Sequence, residues 1–454
     1  MKVSKNFDSF GLIVFLCLAL TANHATAQSQ TLTLKDAINY ALENKADAKK
    51  AKLQVQKGEY EIQEVRSRAL PQISANGNLT YNPVLQTTVI DGAGFGAPGT
   101  TIQAAFGQKW ISTAGVSLNQ ALYDQSVFIG LKAAKSTREF YQINAQLTEE
   151  QVIERVANAY YQVYITRQNL KVLDNNLKNT SKVKDIIQGQ FDNGLAKKID
   201  LDRTIVRISN IKTQRQQTLN AVTLQENALK FFIGMPVDTA IDIPETEFEV
   251  NANALSQAPD TSTRTEYLLI KKNEQLLEFQ KKSVQAGFYP RLSLTSSFNF
   301  IGQGPQMPWF KLPSDGVYWS DFASIGLNLN IPIFTGFGTR AKVRKAENDI
   351  QAIKVELEDT KLALDLQYAN AKTQIDNSLV SISNQKENAK LAQEVLTNTN
   401  NNYVQGLATL TDLLNAENEL VAAQTNYTSA LLDYKLAEIQ LVKSKGELKT
   451  LTNK

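Results

Sequence analysis

Where the prolines fall limits this chain more than any other feature. Its 454 residues carry 11 prolines, at positions 71, 83, 98, 236, 244, 259, 290, 305, 308, 313 and 332, so that 99–235 and 333–454 contain none. Proline lacks a backbone donor and clashes with the preceding helical turn, so long helices are confined to such proline-free stretches. Both stretches are rich in Ala, Leu, Gln, Lys and Glu, which favour helix. This predicts one helix over 125–190 and another over 339–402, each about 100 Å long at 1.5 Å per residue. Shorter helices are expected near 33–69, 199–233, 262–288 and 410–450. Apolar residues recur at spacings of three and four, as in Val152, Val156, Ala159, Tyr160, Val163 and Leu170. That pattern alone would equally serve a two-stranded coiled coil.

The N-terminus reads as an export signal. Lys2 and Lys5 precede the apolar run Gly11–Leu20, and Ala25-Thr-Ala27 comes after it. A basic start, a short apolar core and an A-x-A end predict a signal peptide over 1–27 and a mature chain beginning at Gln28. Cys17 lies inside the apolar core behind Leu16, so no lipid anchor is expected there. The single Cys (Cys17) and the single His (His24) both fall in this leader. A mature chain without thiol or imidazole excludes disulfides, Cys/His zinc sites, and Ser-His-Asp or Cys nucleophiles. No cofactor or metal is expected, and no paired acids mark a carboxylate-dependent enzyme. The chain carries 48 Lys+Arg against 45 Asp+Glu. The leader holds Lys2, Lys5 and Asp8, leaving a mature charge of +2 and no basic field for nucleic acid.

Between short and long helices the period switches to two. Ile73, Ala75, Leu79 and Tyr81 alternate with Ser74, Asn76, Asn78 and Thr80. Trp110, Ala114, Val116, Leu118 and Leu122 stand opposite Thr113, Ser117 and Asn119. Leu292, Leu294, Phe298 and Phe300 alternate with Ser293, Thr295, Ser297 and Asn299, and Ile325–Ile333 alternates with Asn328 and Asn330. A soluble sheet with one buried face would alternate in the same way. The polar faces here are Ser, Thr and Asn with little charge, which favours a wall with lipid outside and water inside. Trp110, Trp309 and Trp319 lie at or beside the predicted strand ends, with Tyr81, Tyr123, Phe322 and Phe334, where interfacial aromatics are expected. The stretches 83–109 and 302–316 read as outer loops. Four strands cannot close a barrel, since the smallest have about eight, so several copies must pool them. The lengths alone do not choose among two, three or four.

The chain also reads as one unit written twice. Pro71-Gln-Ile-Ser74 returns as Pro290-Arg-Leu-Ser293, and Gly194-Leu-Ala196 with Asp200-Leu201 returns as Gly406-Leu-Ala408 with Asp412-Leu413. The predicted organisation is therefore a first repeat over 28–235, a linker over 236–261 and a second repeat over 262–454.

In order and spacing these landmarks resemble the TolC-like outer-membrane efflux factors across essentially the whole mature length. The match rests on Leu32-Thr-Leu-Lys-Asp-Ala37, the twin Pro-x-(Ile/Leu)-Ser entries, and Pro332-Ile-Phe-Thr-Gly336 with Arg340. It rests also on Ala159-Tyr160, Phe232-Ile-Gly-Met-Pro236 and the duplicated Gly-Leu-Ala turn. The resemblance implies a mainly α fold with a small β part. Long antiparallel helices would form a trimeric α-barrel continuous with a 12-stranded transmembrane β-barrel, four strands per protomer. It implies an outer-membrane exit duct in a tripartite efflux or type I secretion system, with an equatorial belt partly built from 234–261. The partners implied are a homotrimer, a periplasmic adaptor (membrane fusion) protein, an inner-membrane pump of RND, ABC or MFS type, and outer-membrane lipid. A secreted coiled-coil or adhesin protein would explain the helices but not the strands or the duplication.

Gly194 and Gly406 are expected to end the long helices in left-handed conformation. Gly194, Leu195, Ala196, Gly406, Leu407 and Ala408 would be the exposed tips that an adaptor grips. Asp200 and Asp412 open the next helices, whose N-termini are electropositive. For Asp412 the resemblance adds a place in the periplasmic aperture, one carboxylate per subunit, with Tyr403 bracing the neighbouring turn. Asn415 stands where a second ring acid can occur, and Ala408 where a basic latch can occur. A more weakly charged ring and a differently latched tip are therefore expected.

Overall fold

The computed structural model describes residues 30–96, 98–244 and 259–452. The expected leader with Cys17 and His24, the start at Gln28, and 245–258 of the expected linker lie outside these residues. The elements are β1 (Gln30–Thr31), α1 (Leu34–Asn44), α2 (Ala46–Ser67), β2 (Gln72–Tyr81), β3 (Thr87–Asp91), β4 (Thr101–Ala105), β5 (Trp110–Tyr123), α3 (Gln125–Asp192), α4 (Lys198–Ile233), β6 (Ile241–Asp242), α5 (Thr265–Gln285), β7 (Arg291–Gly304), β8 (Tyr318–Asn330), α6 (Gly338–Val404) and α7 (Leu410–Ser444). The two proline-free stretches hold the two longest helices, α3 with 68 residues and α6 with 67. No described helix is long and apolar enough to cross a membrane.

Chain contacts divide the protein into two compact units. Of the described residues, one contains those within 53–143 and 268–359; the other contains 30–52, 144–244, 259–267 and 360–452. The first unit carries a four-stranded antiparallel sheet in the order β2-β5-β7-β8. Its register sets Ile73 opposite Leu118, Ala75 opposite Val116, Val116 opposite Phe298, Leu294 opposite Leu327 and Leu292 opposite Leu329. The four apolar faces therefore coincide. On the other face Ser74, Ser117, Ser297 and Ser324 form one row across all four strands. Its hydroxyls meet at 2.8 Å (Ser74–Ser117) and 2.9 Å (Ser297–Ser324). Ile73, Val116, Phe298, Ile325, Leu327 and Leu329 are exposed on the apolar face, and every residue of β8 is exposed.

The second unit buries its apolar residues. Leu32, Ala37, Ile38 and Ala41 pack with Val152–Ile165 of α3, with Leu229 and Ile233 of α4, and with Ile439 of α7. Tyr160 donates its hydroxyl to the Leu32 carbonyl at 3.1 Å, closing the N-terminal segment onto this core. A second cluster joins Ala371, Ile375 and Ile382 of α6 to Ala430, Tyr434, Ala437 and Leu441 of α7.

Five local expectations are corrected. The helix expected over 33–69 is two, broken at Lys45, whose backbone is extended. The end of α4 packs there: Lys45 Nζ donates to the Phe231 carbonyl at 2.8 Å, and a Cβ on Gly234 would sit only 3.1 Å from the Asn44 carbonyl. The helix expected over 262–288 is regular only from Thr265 to Gln285, with 3-10 turns on both sides. The helix expected over 410–450 ends at Ser444, just before Gly446 at φ 74°. The last strand runs Tyr318–Asn330 and not 325–333, because pairing with β7 extends to Gln303–Tyr318 while Pro332 offers no donor. The loop over 83–109 contains a small hairpin of β3 and β4, with Ile90 opposite Ile102.

Candidate functional site

The predicted tip residues lie where α3 turns into α4 and α6 into α7. Both turns close in the same way. Gly194 and Gly406 each take φ 74°. Gly194 N–H donates to the Phe191 carbonyl at 2.9 Å and Leu195 N–H to the Gln190 carbonyl at 2.8 Å. In the other turn the Gly406 and Leu407 N–H groups reach the Tyr403 and Asn402 carbonyls at 3.0 and 2.8 Å. This paired closure is the Schellman arrangement, which satisfies the last helical carbonyls and favours glycine at the left-handed position. It leaves Leu195 80% and Leu407 75% exposed, while Ala196 and Ala408 are half-buried.

The helix starts after the two turns are built differently. Thr409 precedes α7 in extended conformation and forms a reciprocal capping box. The Thr409 N–H and hydroxyl donate to Asp412 Oδ2 at 2.9 and 2.7 Å, and Asp412 N–H donates to Thr409 Oγ1 at 3.2 Å. These bonds, the hydroxyl's first, hold the Asp412 carboxyl below its ordinary pKa. Asp412 and Asn415 are both exposed. The same box recurs at Thr33–Asp36, so capping alone does not mark Asp412 as special. At the other turn Lys197 stands in the cap position and makes no side-chain capping bond, leaving Asp200 without that partner.

A small apolar cluster unites both turns: Val183, Ile187, Leu201, Leu410 and Leu413 are buried, with Ala196, Leu396 and Tyr403 packed against them. Tyr403 has its pKa raised by burial and, after that, by the charge of Asp200. The structure thus brings Asp200, Tyr403 and Ala196 together, whereas Asp412 and Asn415 stand on the open surface.

One group escaped the sequence reading. Glu417 is only 4% exposed, and its carboxylate accepts the Thr180 hydroxyl at 3.0 Å. Burial raises its pKa, while Thr180 and Arg207 act in the opposite sense. Arg207, in turn, has its pKa lowered by burial and raised by Glu417. The available signal was periodicity: Glu417 falls in the buried stripe Leu413, Ala416, Leu420 of α7, where an acid needs a partner. No cluster of His, Cys, Asp and Glu able to hold a metal occurs among the described residues.

Against known proteins, the model of the family "Outer membrane efflux protein" matches residues 37–235 and 272–447. The outer membrane efflux protein BepC of Brucella suis biovar 1 (strain 1330) is 24% identical over 345 residues, 74% of this chain and 72% of BepC. The alkaline protease secretion protein AprF of Pseudomonas aeruginosa is 22% identical over 421 residues, 90% of this chain and 83% of AprF. Among solved structures, the outer membrane protein VceC of Vibrio cholerae superposes with a TM-score of 0.71 at 17% identity, covering 91% of this chain and 96% of VceC.

Proposed function

The chain belongs to the outer membrane efflux protein family, and on that premise we propose that it is the exit duct of a tripartite efflux or type I secretion machine, built as a trimer. The observation that carries the reading is the open sheet. It exposes an apolar face and ends in two edge strands, β2 and β8, whose outer sides have no partner among the described residues. Unpaired backbone groups are not tolerated in lipid. Strand direction alternates across β2-β5-β7-β8, so β8 of one copy and β2 of the next run antiparallel and can pair. Repeating the step closes a barrel, and three copies give the 12 strands the resemblance implies. The serine row would then become a ring of hydroxyls around an aqueous lumen.

In this reading 28–235 and 262–454 are two structural repeats of one protomer, and 236–261 belongs to an equatorial belt. The turns at Gly194-Leu-Ala196 and Gly406-Leu-Ala408 present Leu195 and Leu407 to a periplasmic adaptor (membrane fusion) protein, which links the duct to an inner-membrane pump of RND, ABC or MFS type. Asp412 from each copy, with Asn415 nearby, lines the narrow aperture, and Tyr403 with Asp200 braces the turn beside it. A ring of carboxylates attracts cations and repels itself. Planar-bilayer recordings of Asp412→Asn, which removes the charge but keeps a capping acceptor, test this. The expected result is weaker cation selectivity and weaker block by divalent ions applied from the tip side. Unchanged selectivity and block would reduce Asp412 to a helix cap.

A further inference from the structure

A cleft of about 570 Å³ opens in the sheet-bearing unit where helices meet the strand ends. Ile129 of α3, Phe279 of α5 and the pair Phe288–Tyr289 line it, together with Lys132 and Lys282. No carboxylate lines it, and among the described residues neither ammonium is paired with an acid. Lys282 instead lies 5.5 Å from the Phe279 ring centroid. The nearby Glu347 is taken by Lys281 at 2.9 Å.

The position is informative. Tyr289 stands two residues before β7, which opens on the exposed Arg291, and α3 begins two residues after β5. A bulge at the end of β5 sets Tyr123 opposite Leu292, on the apolar side of the sheet. The Tyr123 ring lies 6.3 Å from that of Phe128, and Phe128 precedes Lys132 by one helical turn. The cleft therefore lies just past the point where the strands end. Two cations above an aromatic floor, at the level where a hydrocarbon layer stops, match a lipid headgroup: the phosphate takes the ammonium groups and the upper acyl chain takes the rings.

We propose that this cleft binds the phosphodiester headgroup of an anionic glycerophospholipid from the leaflet facing the helices. The inference rests on the sheet spanning the membrane, which vesicle flotation checks separately. The test is native mass spectrometry of the full oligomer in detergent, titrated with palmitoyl-oleoyl-phosphatidylglycerol or with the matching phosphatidylcholine, each with and without inorganic phosphate. Expected are phosphatidylglycerol adducts that outlast phosphatidylcholine adducts and resist millimolar phosphate. The double variant Lys132→Gln/Lys282→Gln should weaken them by about tenfold or more, and Lys132→Arg/Lys282→Arg should restore them. Equal retention of both lipids, or displacement by inorganic phosphate, overturns the lipid assignment even if the glutamine variant fails to assemble. Unchanged adducts in an assembled glutamine variant overturn the cleft. Wild-type protein that floats with vesicles yet shows no preference refutes the headgroup site alone. Failure to float refutes the membrane reading beneath it.

Discussion

The two units treat the same kinds of side chain in opposite ways. In the helical unit Ile153, Val156, Val163, Leu229 and Ile233 are fully buried within one chain. In the sheet Ile325 is 80% exposed, and Leu327 and Leu329 are exposed beside it. Leaving such a side chain in water forgoes about 1.5–3 kcal/mol, so an apolar face this continuous is not stable as a water-facing surface. The helical unit is a core already assembled. In the proposed reading the sheet is half of an interface whose other half is lipid, and its edges await the strands of further copies.

That contrast can be broken at four points of decreasing effect. Leu229→Ala in the helical core should cost about 2–5 kcal/mol, transfer plus cavity. Leu327→Ala on the sheet leaves no closed cavity and should cost clearly less; equal losses in urea unfolding of the detergent-solubilised protein would erase the distinction. Leu294→Arg should cost about 2–4 kcal/mol if it lies near the bilayer centre, while Ser293→Arg, on the opposite face, should be tolerated. Equal damage to assembly in vesicles from both would mean that the register or the membrane assignment is wrong. At the two helix turns, Asp412→Ala removes the reciprocal half of a capping box and should lower the thermal midpoint, whereas Asp200→Ala, beside a Lys197 that makes no capping bond, should lower it less. Matching thermal shifts would show that the two turns are energetically alike.

The smallest effect is a pH dependence. A carboxyl whose pKa is raised by burial binds its proton more tightly when folded. Glu417 therefore contributes stability at pH below the ordinary glutamate range, and that stability is lost as pH rises through the raised value. Glu417→Gln should flatten this fall in thermal midpoint above the ordinary glutamate pKa. A variant whose midpoint tracks wild type throughout would show that the fold does not raise the pKa of Glu417.

Much of this architecture was legible in the residues. Proline placement located both long helices, because one proline in a helix interior costs about 3 kcal/mol. Alternation located four strands and put the apolar faces on the side where pairing aligns them. The break at Lys45 was not legible, because it comes from the end of α4 docking 186 residues away in sequence, and no local propensity encodes that. The hairpin of β3 and β4 hid in a stretch where Gly and Pro suggested only loop, although Val89 and Ile90 already carried strand propensity. At the tips, the Gly-Leu-Ala duplication pointed to the paired turns. Yet the sequence could not show that Asp200 acts on Tyr403 while Asp412 stands exposed, since that depends on how four helix ends pack. Glu417 was readable in hindsight as an acid set in an apolar stripe.

The central claim, that the sheet is a membrane wall with water on its serine side, is tested most directly by cysteine scanning of β7. The chain's single cysteine is Cys17, so a Cys17→Ser background gives a thiol-free scan. Single cysteines at 292 through 300 would be reconstituted in vesicles and treated with a membrane-impermeant maleimide. The account predicts a period of two: Ser293, Thr295, Ser297 and Asn299 positions react through the aqueous lumen, and Leu292, Leu294, Phe298 and Phe300 positions do not. Uniform labelling along the strand, or protection of the serine side with reaction on the leucine side, would contradict it.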